Sequence, residues 1–141
     1  MKNTIIKANN AIDTIFDLTN LPNASVVTIE DLRLDGNSKA ANCVDSSTVE
    51  TAPSLHNFNR VWFVGATNNL VNVTNREGTT FNGCVFGESG STTPVGLRCD
   101  NLGGLLRLND CLFQYLTEKH VSFKGAELYC RGCSFGGDEY T

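Results

Sequence analysis

Charge is scarce in this sequence: Asp, Glu, Lys and Arg make up only 18% of it, and the formal balance is −4. The lysines and arginines form no cluster, so no basic field attracts a phosphate backbone, and nucleic acid is not an expected partner. Long apolar runs are missing too. No segment approaches the roughly 18 consecutive apolar residues of a membrane-spanning helix, and no membrane insertion is expected. The first residues, MKNTIIKANNAID, hold no hydrophobic signal core, which argues against secretion by an N-terminal signal. Histidines number only two, and neither has a carboxylate or nucleophile at a recognisable spacing, so both read as loop residues. Phosphate loops, dinucleotide-binding glycine motifs, HExxH and EF-hand patterns are absent, and no cofactor is expected.

Asn, Thr, Ser and Gly take the place of charge, which is the chemistry of turns and surface strands rather than of surface helices. The 40% hydrophobic content suits a slender core better than a thick one. The apolar residues fall into a repeated phrase: apolar, two residues, apolar, one residue, apolar. It occurs as Ile29/Leu32/Leu34, Phe58/Val61/Phe63, Phe81/Cys84/Phe86, Leu108/Cys111/Phe113 and Cys130/Cys133/Phe135, at intervals of 29, 23, 27 and 22 residues. A second phrase lies between the copies: Phe16/Leu18, Val71/Val73, Leu97/Cys99 and Val121/Phe123. Its middle residues, Asp17, Asn72, Arg98 and Ser122, are polar, as alternation toward water demands.

Repeats of this length signal a stacked, one-dimensional architecture in which each coil carries at least two strands. Tandem hairpins of an antiparallel sandwich are the alternative. Ile5 and Ile6 are placed in a lead-in or capping strand within residues 1–13, the stack occupies 14–137, and 138–141 form a tail. Ser38–Ser54 is the least regular stretch: Ala41/Cys43 is the candidate for its second-phrase strand, and SSTVETAPS reads as a loop excursion. Asn59, Asn82 and Asn109 share the position after the first apolar residue, at a bend. There they either hydrogen-bond from coil to coil or face solvent singly.

Six cysteines invite a disulfide reading. Cys84, Cys111 and Cys133 share one repeat position, however, and Cys99 and Cys130 are also assigned inward, where cysteine serves as a small hydrophobe. Free thiols are expected. Cys130-x-x-Cys133 has metal-like spacing without a second pair, so no metal site is expected.

The phrases VTIEDLRLDGN, FNRVWFVGA, FNGCVFGES and LNDCLFQYL resemble rungs of the right-handed parallel β-helix of the pectate-lyase-like superfamily, which includes bacteriophage tailspikes. The expected fold class is therefore all-β, a right-handed single-stranded parallel β-helix of about five rungs. The resemblance implies polysaccharide binding or cleavage. For tailspike-like members it also implies a trimeric virion protein assembled in host cytoplasm that meets bacterial surface polysaccharide. Cytoplasmic and extracellular locations are the alternatives.

Catalysis requires paired carboxylates or a base among cations. Asp31 and Asp110 share a column but stand three coils apart, and Asp31 with Arg60 reads as a surface ion pair. No residue is assigned a catalytic role. Trp62, Arg98, Asp100 and Glu88 are the candidates for glycan contact. The outward column Arg33, Trp62, Val85, Leu112, Ser134 is unusual in its apolar centre, and Trp62, Val85 and Leu112 are the candidates for an interface. Packing against sister chains in a homo-oligomer, with a trimer as first expectation, competes with cover by the 38–54 loop and with sugar stacking on Trp62. Three functions follow: a structural or glycan-contacting module of a viral attachment protein, a fragment of a polysaccharide hydrolase or lyase, or a scaffold for protein partners.

Overall fold

A computed structural model of the chain describes residues 4–21, 25–47, 55–73, 78–100 and 104–136. Its strands visit three sheets in rotation. The first pass is β1 (Thr4–Lys7), β2 (Ile12–Asp17) and β3 (Val26–Glu30); the second is β4 (Leu32–Asp35), β5 (Ala40–Ser46) and β6 (Leu55–Asn59). Next come β7 (Trp62–Val64), β8 (Asn69–Val73) and β9 (Gly78–Asn82), then β10 (Val85–Phe86), β11 (Val95–Asp100) and β12 (Leu105–Asn109). The last are β13 (Leu112–Phe113), β14 (Lys119–Lys124), β15 (Glu127–Arg131) and β16 (Ser134–Phe135).

Sheet A stacks β1, β4, β7, β10, β13 and β16; sheet B stacks β2, β5, β8, β11 and β14; sheet C stacks β3, β6, β9, β12 and β15. Every pairing is parallel, which excludes the antiparallel sandwich. The molecule is an all-β parallel solenoid.

Strict register turns the repeated phrase into columns. Ile6, Leu34, Phe63, Phe86, Phe113 and Phe135 align along the inside of sheet A. The rings of Phe63, Phe86 and Phe113 stack at 5.0 and 4.3 Å. In sheet C, Ile29, Phe58, Phe81, Leu108 and Cys130 align, with Phe58 stacked on Phe81 at 4.7 Å. Offset stacking adds to area burial in a core this narrow.

Between sheets C and A the chain bends at the same point in each coil. Asp31, Arg60, Gly83, Asp110 and Gly132 all take positive φ, between 53° and 64°. Beside the bend, Asn109 Nδ2 donates to Asn82 Oδ1 and Asn82 Nδ2 donates to Asn59 Oδ1, both at 2.8 Å. Of the two readings, the coil-to-coil ladder holds. It satisfies amides that would otherwise lose water at a crowded corner.

Two expectations fail. The strand expected at Ala41/Cys43 is present but runs further, as β5 over Ala40–Ser46, the longest strand among the described residues, between β2 and β8. Val44 and Ser46, not Ala41 and Cys43, align with Val71 and Val73. The alternation was hidden because β5 turns polar Ser46 inward, beside Val73, and buries Asn42, Cys43 and Val44 in succession. Residues 48–54 of the expected loop lie outside the described residues, as do 137–141, where the tail was expected. The histidines are not loop residues either: His56 lies in β6 and His120 in β14. His56 is two residues from Phe58, so strand alternation sends it inward.

Candidate functional site

The outward side of sheet A carries Ile5, Arg33, Trp62, Val85, Leu112 and Ser134 in one column. Trp62, Val85 and Leu112 are half-buried. Around Trp62 much of the cover comes from the protein's own side chains and from a strap, residues 87–93. This strap belongs to the connection between β10 and β11, which is longer than those joining sheet A to sheet B in the other coils.

The strap leaves the sheet at Gly87, whose φ is +95° and where a Cβ would strike the Gln114 carbonyl oxygen. Only glycine fits there. The Trp62 indole N–H donates to the Gly87 carbonyl at 3.0 Å. The far end is fixed by buried Thr93, whose hydroxyl donates to the Ala66 carbonyl at 2.7 Å. Between these anchors Glu88 reaches down two strands to Arg33, which donates from Nη2 to both carboxylate oxygens at 2.9 and 2.8 Å. The Arg33 guanidinium lies 4.5 Å from the Trp62 ring centroid, a cation–π contact. Its Nε is buried without a partner among the described residues.

Beneath the strap lies a pocket of about 320 Å³. Its floor is Lys7, Arg33, Asp35, Asn37, Ser38 and Gly65, and its roof is Glu88, Ser89, Gly90, Ser91 and Thr92. Charge is balanced: Lys7 Nζ and Arg33 Nη2 each stand 3.7 Å from Asp35 Oδ2, and Glu88 neutralises Arg33 from above. Asp35 also accepts the Asn37 backbone N–H at 2.8 Å. Such a lining has no net preference for an ion but many directional donors and acceptors, and the volume is at the small end of the roughly 300–1,000 Å³ of ligand pockets.

Of the four glycan-contact candidates, Trp62 and Glu88 thus meet through Arg33. Arg98 and Asp100 are elsewhere, on the outside of sheet B, where Arg98 donates from Nε and Nη2 to one Asp100 oxygen at 2.9 and 2.7 Å. Arg60 grips Asp31 with two bonds of 2.7 Å, and this contact holds the Asp31 carboxyl below the usual carboxylate range. Asp110 is three coils from Asp31 and has no part in that pair.

Sequence reasoning missed Lys7, Asp35, Asn37 and Ser38. Asp, Gly and Asn favour turns, so Asp35–Gly36–Asn37 is a turn signal, and ESGSTT, residues 88–93, has the composition of a flexible connection, but nothing in the sequence says that the connection folds back over the turn. The two carboxylates of the pocket, Asp35 and Glu88, lie 3.7 and 2.8 Å from the same Arg33 nitrogen. They are nearer each other than any carboxylate pair considered from sequence.

Comparison with models of protein families, with curated proteins and with solved structures found no match. The site therefore rests on its own geometry. Among the described residues, no cluster of three metal-ligating side chains occurs. All six cysteines are free thiols, and burial pushes Cys43 up to about 12 and Cys99 to about 11.

His56 is buried, its Nδ1 has no partner among the described residues, and burial lowers its pKa. Thr79, its register neighbour in β9, is equally buried, and its hydroxyl has no partner among the described residues. Both point into the core rather than into the pocket.

Proposed function

We propose that this chain is a β-solenoid module of a tailspike-like viral attachment protein, without catalysis of its own, that contacts a bacterial surface glycan in the pocket under the strap. The observation that carries this reading is the charge-balanced, hydroxyl-rich lining formed by Arg33, Asp35, Asn37, Ser38 and the strap, with Trp62 alongside. Sugars are bound by planar polar side chains that offer paired hydrogen bonds, and here the planar groups are already held in place by one another. The likeness of the rung phrases to pectate-lyase-like β-helices supports the same class of ligand. Sister chains would pack against the upper part of the sheet A column, at Val85 and Leu112, in a trimer.

The test is a screen of bacterial surface polysaccharides by saturation-transfer NMR. A ligand should bind the native chain, lose binding in Arg33→Ala, and keep it in Arg98→Ala, whose side chain lies on sheet B. Equal binding by Arg33→Ala would sink the assignment. For assembly, Leu112→Asp should reduce the mass in solution to that of one chain; an unchanged mass removes this face from the interface.

A second reading is glycoside hydrolysis by Asp35 and Glu88. It is favoured by their shared contact with Arg33, which brings the two carboxylates to a spacing short enough for such a pair, roughly 5–9.5 Å. It is opposed by the occupation of both Glu88 oxygens by Arg33. Release of reducing ends from the bound polysaccharide, abolished in Asp35→Asn, would favour it over binding alone.

A further inference from the structure

Cys84, Cys111 and Cys133 form a column immediately before β10, β13 and β16. The backbone holds them in step, with Leu112 N–H on the Cys84 carbonyl and Ser134 N–H on the Cys111 carbonyl, both at 2.9 Å. Their sulfurs point the same way, toward carbonyls of the preceding sheet C strands: Cys84 to Phe58 at 3.3 Å, Cys111 to Phe81 at 3.5 Å, and Cys133 to Leu108 at 3.3 Å. Adjacent thiols feel one another. The Cys111 thiol is the leading cause that lowers Cys84, and Cys84 in turn raises Cys111.

The column changes character at its end. Cys84 and Cys111 are buried, Cys133 is half-buried, and Cys130 is exposed. The coil that carries Cys133 includes β15 and β16, both exposed along their length, so it has freedom to adjust that the inner coils lack. Neighbouring in-register positions of parallel strands are about 4.8 Å apart, inside the Cα range of a disulfide, about 4.4–6.8 Å. The remaining requirement is a turn of one sulfur toward the other, and Cys133 is the one free to make it.

We infer that Cys111 and Cys133 are a redox site, at which a small-molecule disulfide such as oxidised glutathione forms an inter-coil bridge that fastens the last described coil to the one below it. The Cys133 thiolate attacks one sulfur of the oxidant and releases one glutathione thiolate. The Cys111 thiolate then displaces the second glutathione from Cys133. Two S–H bonds are lost, one S–S bond forms, and the oxidant is reduced to two glutathiones. Burial raises the Cys133 thiol, and the Cys84 thiol together with burial raises Cys111 further, so both steps should be slow at neutral pH and quicken as pH rises. The bridge would leave the pocket under the strap untouched, and the site is independent of any glycan.

Every cysteine falls in a different tryptic peptide, so pairings can be read directly. Reduced full-length chain is incubated with oxidised glutathione at mildly alkaline pH, alkylated, digested and mapped. The expected product joins residues 108–119 to 132–141, is absent from Cys133→Ser, and persists in Cys130→Ser. Amide exchange in β15 and β16 should slow in the oxidised wild type. A dominant Cys130–Cys133 or Cys84–Cys111 pair, or a chain whose thiols all remain alkylatable, would overturn the inference. Because the pairing is read in the wild type, a poorly folding variant does not blunt the test.

Discussion

The middle coils and the last described coil follow one apolar pattern with opposite results. Phe86 and Phe113 are fully buried, whereas Phe135, in the same column and stacked on Phe113 at 5.1 Å, is 49% exposed. Leu106 and Leu128 differ in the same way in sheet C. In a solenoid a side chain's direction is set by its own strand, but its burial is set by the coil above it. The pattern alone therefore predicts orientation and leaves stability to position along the stack.

The sharpest way to break this comparison is to delete the same ring at two levels. Phe86→Ala removes a ring stacked on both sides, by Phe63 and Phe113, and should destabilise by about 3–5 kcal/mol in denaturant unfolding. Phe135→Ala removes a ring stacked on one face among the described residues and should have a much smaller effect, at most about 1 kcal/mol. Similar losses at both sites would mean that the last described coil is covered in solution.

A smaller effect is expected from the asparagine ladder. Asn82→Ala strands the Asn59 oxygen below and the Asn109 amide above, and should lower stability by about 1–2 kcal/mol. Asn109→Ala breaks one of these bonds and should cost less. An equal loss for the two would show that the ladder does not act as a chain.

These columns were largely legible in the sequence, because the phrase repeats at each bend and the bend recurs at fixed register. The pocket was not legible. Its halves come from residues 7–38 with Gly65 and from residues 88–92, and the contact between Arg33 and Glu88 depends on how a long connection falls across two strands, which no local periodicity encodes. His56 was misread for a different reason. A polar residue at an inward position breaks the apolar pattern, so His56 looks like a loop residue although Phe58, two positions on, reads as inward.

His56 offers a finer probe of the inner coils. Burial lowers its pKa in the folded chain below the ordinary value of 6.5, so between those two values the unfolded chain binds more protons. Its contribution to stability is full above about pH 6.5 and is lost as pH falls through the lower folded value. Unfolding midpoints should decline over that interval in the wild type and stay flat in His56→Leu. The lowered Asp17 and Asp31 carboxyls act at more acidic pH, below their ordinary 3.8, and should not obscure the change. A decline that survives in His56→Leu would assign it to another group.

The smallest effect is expected at the bend itself. Arg60 occupies the left-handed position with φ of 54°, where the equivalent residues one and three coils on are Gly83 and Gly132. Its two bonds to Asp31 are exposed to solvent, where ion pairs contribute little and are screened by salt. Arg60→Gly loses that pair and gains entropy in the unfolded chain, both unfavourable, but relieves a side chain from a conformation glycine adopts without strain. The opposing terms should leave the denaturation midpoint unresolved from wild type at physiological salt. The same substitution inside the ladder, Asn82→Gly, has no strain to relieve and should fall at least as far as Asn82→Ala. If Arg60→Gly instead destabilised as much as Asn82→Gly, the exposed bend would be holding the coils together as firmly as the amides beside it, and burial would no longer separate strong columns from weak ones.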